Sequence, residues 1–187
     1  MNAQVSPQDR TRRQLLVLGG SAALGALAGC TLNDAPRRDF HVLHDIKAGA
    51  PPPPVPPAVS QVLLLDLAGS TTLYESDHMV YSADGVSRSY FQFAQWSERP
   101  ARSLLRLAET RLADAKHFRA VALSSSGVRG DLLLTLRLDE LFLDDSRRPG
   151  VVTLAFTAAL LDWRDRRLMA RRRFEGTQQA ATRDAAG

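Results

Sequence analysis

The side chain with the most distinctive chemistry in this 187-residue sequence is the thiol of Cys30, the single cysteine, which closes the run Leu27-Ala28-Gly29-Cys30. That run is a lipobox. In bacteria the pattern directs thioether attachment of a diacylglycerol to the sulfur, cleavage before the cysteine, and acylation of the new amino terminus. Each residue type is suited to its place, for Gly29 and Ala28 are small enough for a peptidase to approach, Leu27 fills an apolar pocket, and the thiol is the nucleophile. Several acyl chains, each worth about 0.8 kcal/mol per buried CH2, exceed the two signals that durable anchoring needs.

The residues leading to Cys30 agree with this chemistry. Arg12 and Arg13 precede fourteen uncharged residues, Leu15 to Ala28, fewer than the roughly 20 that span a bilayer as a helix. A charged lead, a short apolar stretch and small exit residues make a removable signal rather than a retained span. Thr11-Arg12-Arg13-Gln14-Leu15-Leu16 also resembles a twin-arginine export signal, while two arginines equally serve the general secretory route, so the route stays open. Thr31 follows the cysteine. An Asp there retains enterobacterial lipoproteins in the inner membrane, so its absence favours the outer membrane.

Elsewhere the reactive residues do not assemble into a catalytic pattern. His41 and His44 lie three apart beside Asp45, yet their neighbours do not read as helical and no third His or Cys is close, so no metal site is expected. His78 and His117 are isolated. Ser124-Ser125-Ser126 lacks the Gly-x-Ser-x-Gly elbow, and no glycine-rich phosphate loop occurs. Neither an enzyme nor a cofactor is expected. Arg129-Gly130-Asp131 spells an adhesion tripeptide but leads straight into a strand pattern. Arg164, Arg166, Arg167, Arg171, Arg172 and Arg173 could meet anionic headgroups, although Asp162, Asp165 and Glu175 dilute them and a solvated hairpin is the plainer reading. Of the formal charge of +4, two units belong to the signal (Arg10, Arg12 and Arg13 against Asp9). The remainder is too small to indicate nucleic acid.

The rest of the chain divides by composition. Residues 1–29 read as the signal peptide, 30–58 as the lipidated cysteine and a tether, 59–176 as the folded domain, and 177–187 as a polar tail. Pro51-Pro52-Pro53-Pro54-Val55-Pro56-Pro57 favours polyproline II and reads as a semi-rigid stalk. Asp39 to Leu43, upstream of it, can form a short extended piece against the domain edge. Val62-Leu63-Leu64-Leu65 is a continuous apolar run, expected as a strand buried on both faces. His78–Ser82 and Arg88–Phe93 flank Asp84-Gly85 and predict a hairpin. Ser97 is the expected N-cap of a helix with Pro100 in its first turn, because Ala101, Leu104, Leu105, Ala108, Leu112 and Ala115 recur at helical spacing. Phe118–Leu123 reads as a strand. Asp131–Leu143 reads as a long alternating one that places Leu132, Leu134, Leu136 and Leu138 on one face. A second hairpin is expected from Val151–Trp163 and Leu168–Phe174, turning at 164–167. The predicted fold is α/β (α+β): a twisted, mixed, largely antiparallel sheet with one main amphipathic helix packed on it.

This order of features resembles the ABC-type transport auxiliary lipoprotein family, the PqiC-like partners of MCE-domain transporters. The resemblance runs from Phe40 to about Phe174. It rests on the lipobox, the Phe40-x-x-Leu43 piece, Val62-Leu63-Leu64-Leu65-Asp66-Leu67, the Met79-Val80-Tyr81 strand, Phe93-Ala94-Gln95-Trp96-Ser97-Glu98-Arg99-Pro100 and the leucine-rich helix. Tyr81, Phe93 and Trp96 become the structural or interaction candidates. Two departures stand out: Ser82 follows Tyr81 where the family usually has Arg, and the usual closing amphipathic helix is not visible. The resemblance implies a lipoprotein subunit facing the periplasm that binds an MCE-domain subunit and its permease and ATPase, with self-association left open. A free-standing envelope lipoprotein that binds a small ligand is the alternative.

Overall fold

The structure, a computed structural model, describes residues 37–45, 48–50, 58–182 and 185. The signal peptide, Cys30 and the prolines at 51–57 lie outside the described residues. Eight strands and one α-helix follow one another as β1 (Asp39–His41), β2 (Val59–Ser70), β3 (His78–Ser82), β4 (Ser89–Trp96), α1 (Pro100–Asp114), β5 (Phe118–Leu123), β6 (Leu132–Asp144), β7 (Val151–Asp162) and β8 (Arg167–Gln179). All lie within one unit, Arg38–Gly187. No helix among the described residues is long and apolar enough to cross a membrane.

The strands form a single mixed sheet organised about β6. On one side β6 runs antiparallel to β7 along its whole length, and β7 continues antiparallel to β8. On its other side β6 pairs first with β2, from Leu63↔Leu132 to Ser70↔Leu138, and then with β3 through Tyr81↔Leu143 and Ser82↔Asp144. β2 is parallel to both of its neighbours, β5 and β6. Its run Val62–Leu65 is accordingly buried on both faces, as the uninterrupted apolar sequence predicts. The hairpin of β3 and β4 turns where expected, with Gly85 at φ +79°. Asp84 takes the loop amides of Val86 and Ser87 at 2.8 and 2.7 Å, and these bonds hold its carboxyl far below the usual carboxylate range.

Helix α1 lies against β2 and β5 and closes one core with Leu63, Leu65, Leu105, Leu132 and Leu136. A second core gathers Tyr74, Val80, Ala101, Leu138, Leu141 and Phe142. On another face of the strands Val62, Leu64 and Leu133 pack with Leu161 and Trp163 at their margin. The alternation expected of β6 therefore holds for Leu132, Leu134 and Leu136. It breaks at Asp139, where a register shift between Leu138 and Glu140 leaves β7 to resume at Ala155. Past this bulge Leu141, Phe142 and Leu143 are all buried, so this end of the strand is covered on both faces.

Two expectations need correcting. Ser97 is not the N-cap: the helix begins at Pro100 with Arg99 extended before it (φ −52°, ψ 124°), since the residue before a proline is driven out of the helical region. Ser97 instead donates its N–H to the His41 carbonyl at 2.7 Å. Glu98 ties down the first turns by accepting from Ser103 Oγ at 3.0 Å and pairing with Arg106. Residues 177–179, assigned to a polar tail, extend β8 to Gln179, and Ala180 beyond them is buried. β7 supplies a backbone partner for each of these residues, and a ladder on offer outweighs weak helical propensity.

The short extended piece expected at Asp39–Leu43 does form against the domain edge. β1 is already hydrogen-bonded to β4, from Asp39↔Ala94 to His41↔Trp96, and Asp45 forms an ion pair with Arg111 on α1. On the far side of the prolines Val59 donates to the His117 carbonyl at 2.7 Å. The proline run itself, expected as a stalk, lies outside the described residues.

Gly130 tests how closely β6 is seated on β2. A Cβ there would lie 2.6 Å from Leu64 Cδ1, inside a packed cluster that leaves Leu64 little freedom to move. Gly130→Ala is expected to destabilise the domain by about 1 to 3 kcal/mol through overpacking, read as a lowered Tm in thermal denaturation.

Candidate functional site

An apolar groove of about 520 Å³ lies between β1, the β3–β4 hairpin, the end of β6 and the start of β7. Its floor is Val80, Leu141, Phe142 and Leu143, which the bulge at Asp139 and the β3–β6 pairing bring together. One wall is the chain from Phe40 to His44, held by the register of β1 on β4. Phe91 and Trp96 of β4 complete it, and Ala185 reaches its edge. Phe40 and Val42 are each 64% exposed at the rim.

Trp96 is fixed by its backbone before its ring makes any contact. Its N–H donates to the Asp77 carbonyl at 2.7 Å, and the following N–H, of Ser97, reaches His41 at the same distance. The indole is half-buried against the Tyr74–Phe142 core. Phe142 is sandwiched: one side lines the groove, and the guanidinium of Arg88 lies 3.6 Å from its ring centroid, a cation–π contact that helps hold the ring. Burial raises the Tyr74 hydroxyl above its ordinary pKa, with Arg88 opposing that shift through a hydrogen bond.

Of the residues singled out from sequence, Trp96 lines the groove and Tyr81 supports it, its ring 4.8 Å from that of Phe91. Phe93 does not line it and remains 42% exposed. Cys30 and the lipobox residues Arg12, Arg13, Leu27, Ala28 and Gly29 lie outside the described residues. Leu141, Phe142 and Leu143 were missed as site residues. Their signal was the consecutive apolar run Leu141-Phe142-Leu143, which departs from strict alternation near the end of β6.

The histidines His41 and His44 both border the groove. Among the described residues no group of three His, Cys, Asp or Glu side chains could hold a metal ion. The polar cleft at the other end of β6, lined by Ser60, Gln61, Arg119, Asp131, Asp162 and Arg164, has its central carboxylate committed to structure. Asp131 accepts from the Val62 N–H at 2.9 Å and pairs with Arg164, and both lower its pKa. Asp162 accepts the turn amides of Arg164 and Asp165. Arg129-Gly130-Asp131 is thus the seat of β6 on β2 rather than an adhesion signal.

The fold thus presents an apolar groove on a small mixed sheet, beside a segment that the aromatic strand and the helix entry share. The chain belongs to the ABC-type transport auxiliary lipoprotein component family, whose model matches residues 42–187. This is a transport-associated lipoprotein family of the cell envelope and not a known enzyme family. The fold is that of the crystal structure of protein XCC0632 from Xanthomonas campestris, with TM-score 0.67 and 20% identity over 80% of each chain. It also matches the crystal structure of an uncharacterized protein, with TM-score 0.55 and 14% identity over 69% of this chain and 80% of that one. No curated protein matches the chain in sequence.

Trp96→Ala is expected to cost about 2 kcal/mol, below the roughly 3 to 5 typical of a fully buried tryptophan, because the indole is half-buried. Thermal denaturation should show a modestly lowered Tm with the near-native far-UV circular dichroism retained.

Proposed function

We propose that this protein is a lipid-anchored, periplasm-facing auxiliary subunit of an ABC-type, MCE-associated system that moves lipids or other hydrophobic molecules between membranes, and that it acts by binding protein. The observation that carries the reading is the groove: an open apolar concavity of about 520 Å³ with aromatic walls and exposed Phe40 and Val42 at its rim. Apolar surface of this kind marks an interaction site. Half-buried aromatic anchors such as Trp96 and Phe91 are the residue types that dominate interface energies. Family membership supplies the transport context, and the resemblance to PqiC-like proteins supplies the MCE-domain partner, with the permease and ATPase as its associates. ATP hydrolysis belongs to those other subunits.

The anchor is the diacylglyceryl thioether on Cys30 together with the acylated amino terminus. Arg38 stands eight residues after Cys30, a reach of at most about 28 Å, so the domain stays close to the membrane surface. The residue after Cys30 is Thr31 rather than the Asp that retains lipoproteins in the inner membrane, which favours the outer membrane. Cys30→Ser is expected to release the protein from membranes while leaving its folded domain intact. Recovery of the variant in salt-washed membrane fractions would count against the anchor.

The partner is tested genetically and biochemically. Deleting this gene should weaken the outer-membrane permeability barrier as much as deleting the MCE-domain subunit does, with no further loss in the double deletion. The two proteins should also co-purify in mild detergent, and Trp96→Ala should reduce their recovery. Additive deletions without co-purification would overturn this reading and favour a free-standing envelope lipoprotein.

A further inference from the structure

The sheet ends in a strand whose outer edge has no partner among the described residues. β8 pairs with β7 alone, and all thirteen of its residues are exposed. A typical strand has about five or six residues, and natural proteins blunt a long free edge because its row of N–H and C=O groups templates another strand. β8 carries no proline, no described element covers it, and its one irregularity is confined to the end near Leu168. From Ala170 to Gln179 its backbone runs in unbroken register with β7.

The side chains along this edge restrict what can pair with it. Arg171, Arg172 and Arg173 are consecutive, and Glu175 is the one acidic residue of the strand. A second copy of β8 added antiparallel would set Arg against Arg if the twofold axis passed through Arg171, Arg172 or Arg173, and Glu against Glu if it passed through Glu175. With the axis through Phe174, neither occurs. Arg173 then stands opposite Glu175 of the second copy, Arg172 opposite Gly176, Arg171 opposite Thr177, and Phe174 opposite Phe174. This register uses the strand from Met169 to Gln179. Phe174 already stacks on Phe156, with centroids 5.1 Å apart and planes 18° from parallel, yet it stays 39% exposed. Within its own chain Arg173 pairs with Glu140 of β6 at 3.0 Å and lies 3.5 Å from Glu175, so it would have to exchange an intrachain carboxylate for Glu175 of the second copy.

We infer that β8 is a self-pairing edge: two copies of this chain join antiparallel through β8 about a twofold axis at Phe174, continuing the sheet from one domain into the next. The cross-strand complement of Arg173 with Glu175 occurs twice by symmetry, and the two Phe156–Phe174 stacks meet on one face. Opposite charges and aromatic pairs directly across strands are the contacts that stabilise sheet pairing, and like charges so placed oppose it. The surface is separate from the groove, so a dimer leaves the groove open to its partner.

Gly176 offers a test that leaves the single domain undisturbed. A Cβ there meets nothing within 4 Å, and in the paired register residue 176 faces Arg172 of the second copy. In sedimentation equilibrium on the full chain in mild detergent, Gly176→Glu should tighten the monomer–dimer equilibrium and Gly176→Arg should weaken it, each by about two- to thirty-fold for two symmetric pairs. Phe174→Cys should give a disulfide-linked dimer on mild oxidation. Met169→Cys, displaced by ten residues from its own symmetry mate, should not, and the parent chain should give none. A chain that stays monomeric at all concentrations, equal effects of the two Gly176 variants, or cross-linking at 169 as readily as at 174 would overturn the inference.

Discussion

The molecule depends on the requirement that β6 satisfy its backbone groups on both sides over thirteen residues. A buried strand left unpaired anywhere along its length would strand N–H and C=O groups away from water, at a cost comparable to a lost hydrogen bond each. β7 meets this requirement on one side along the strand, with a single break at Asp139. On the other side no single strand does. β2 serves the first half and departs at Ser70, and β3 takes over at the last two residues. The bulge at Asp139 lies between the two partners, and its carboxylate, which burial alone would raise in pKa, is instead held below its usual range by Thr157 and Arg137.

That change of partner is what creates the groove. As β2 leaves, the short helical turn Thr72–Tyr74 drops Tyr74 into the core, and β3 brings Val80 and the β4 hairpin beside Leu141–Leu143. The hairpin in turn offers an edge to β1, so the segment at Phe40 becomes a wall. A continuous β2 would have filled this space with sheet.

Charge contributes differently at the two ends. Most ion pairs here are exposed on one partner at least, such as Arg173–Glu140 and Arg147–Asp144, and pairs of that kind contribute about 0 to 1 kcal/mol. They set registers and turns rather than hold the domain together. Asp131 illustrates this. Its carboxylate bonds the β2 backbone directly, so it aligns two strands whose leucines supply most of the stabilisation.

Much of this arrangement was legible in the amino-acid sequence. Local rules determined both hairpins, the strand Phe118–Leu123 to the residue, the helix from its three- and four-residue spacing, and the doubly buried Val62–Leu65, because period and turn chemistry act over a few neighbouring residues. The lipobox reading at Leu27–Cys30 likewise rests on a local pattern. Tertiary structure alone decided the rest. Whether the β6 leucines keep their alternation depended on a bulge answered by β2, β3 and β7 together. That β1 and Asp45 are held to the domain depended on partners more than fifty residues away. Whether residues 177–179 fray or extend depended on β7 already standing there with open hydrogen-bonding groups. Contacts between residues remote in sequence leave no periodic trace in either segment. The groove, assembled from Phe40, Phe91, Trp96 and Leu141–Leu143, is made entirely of such contacts.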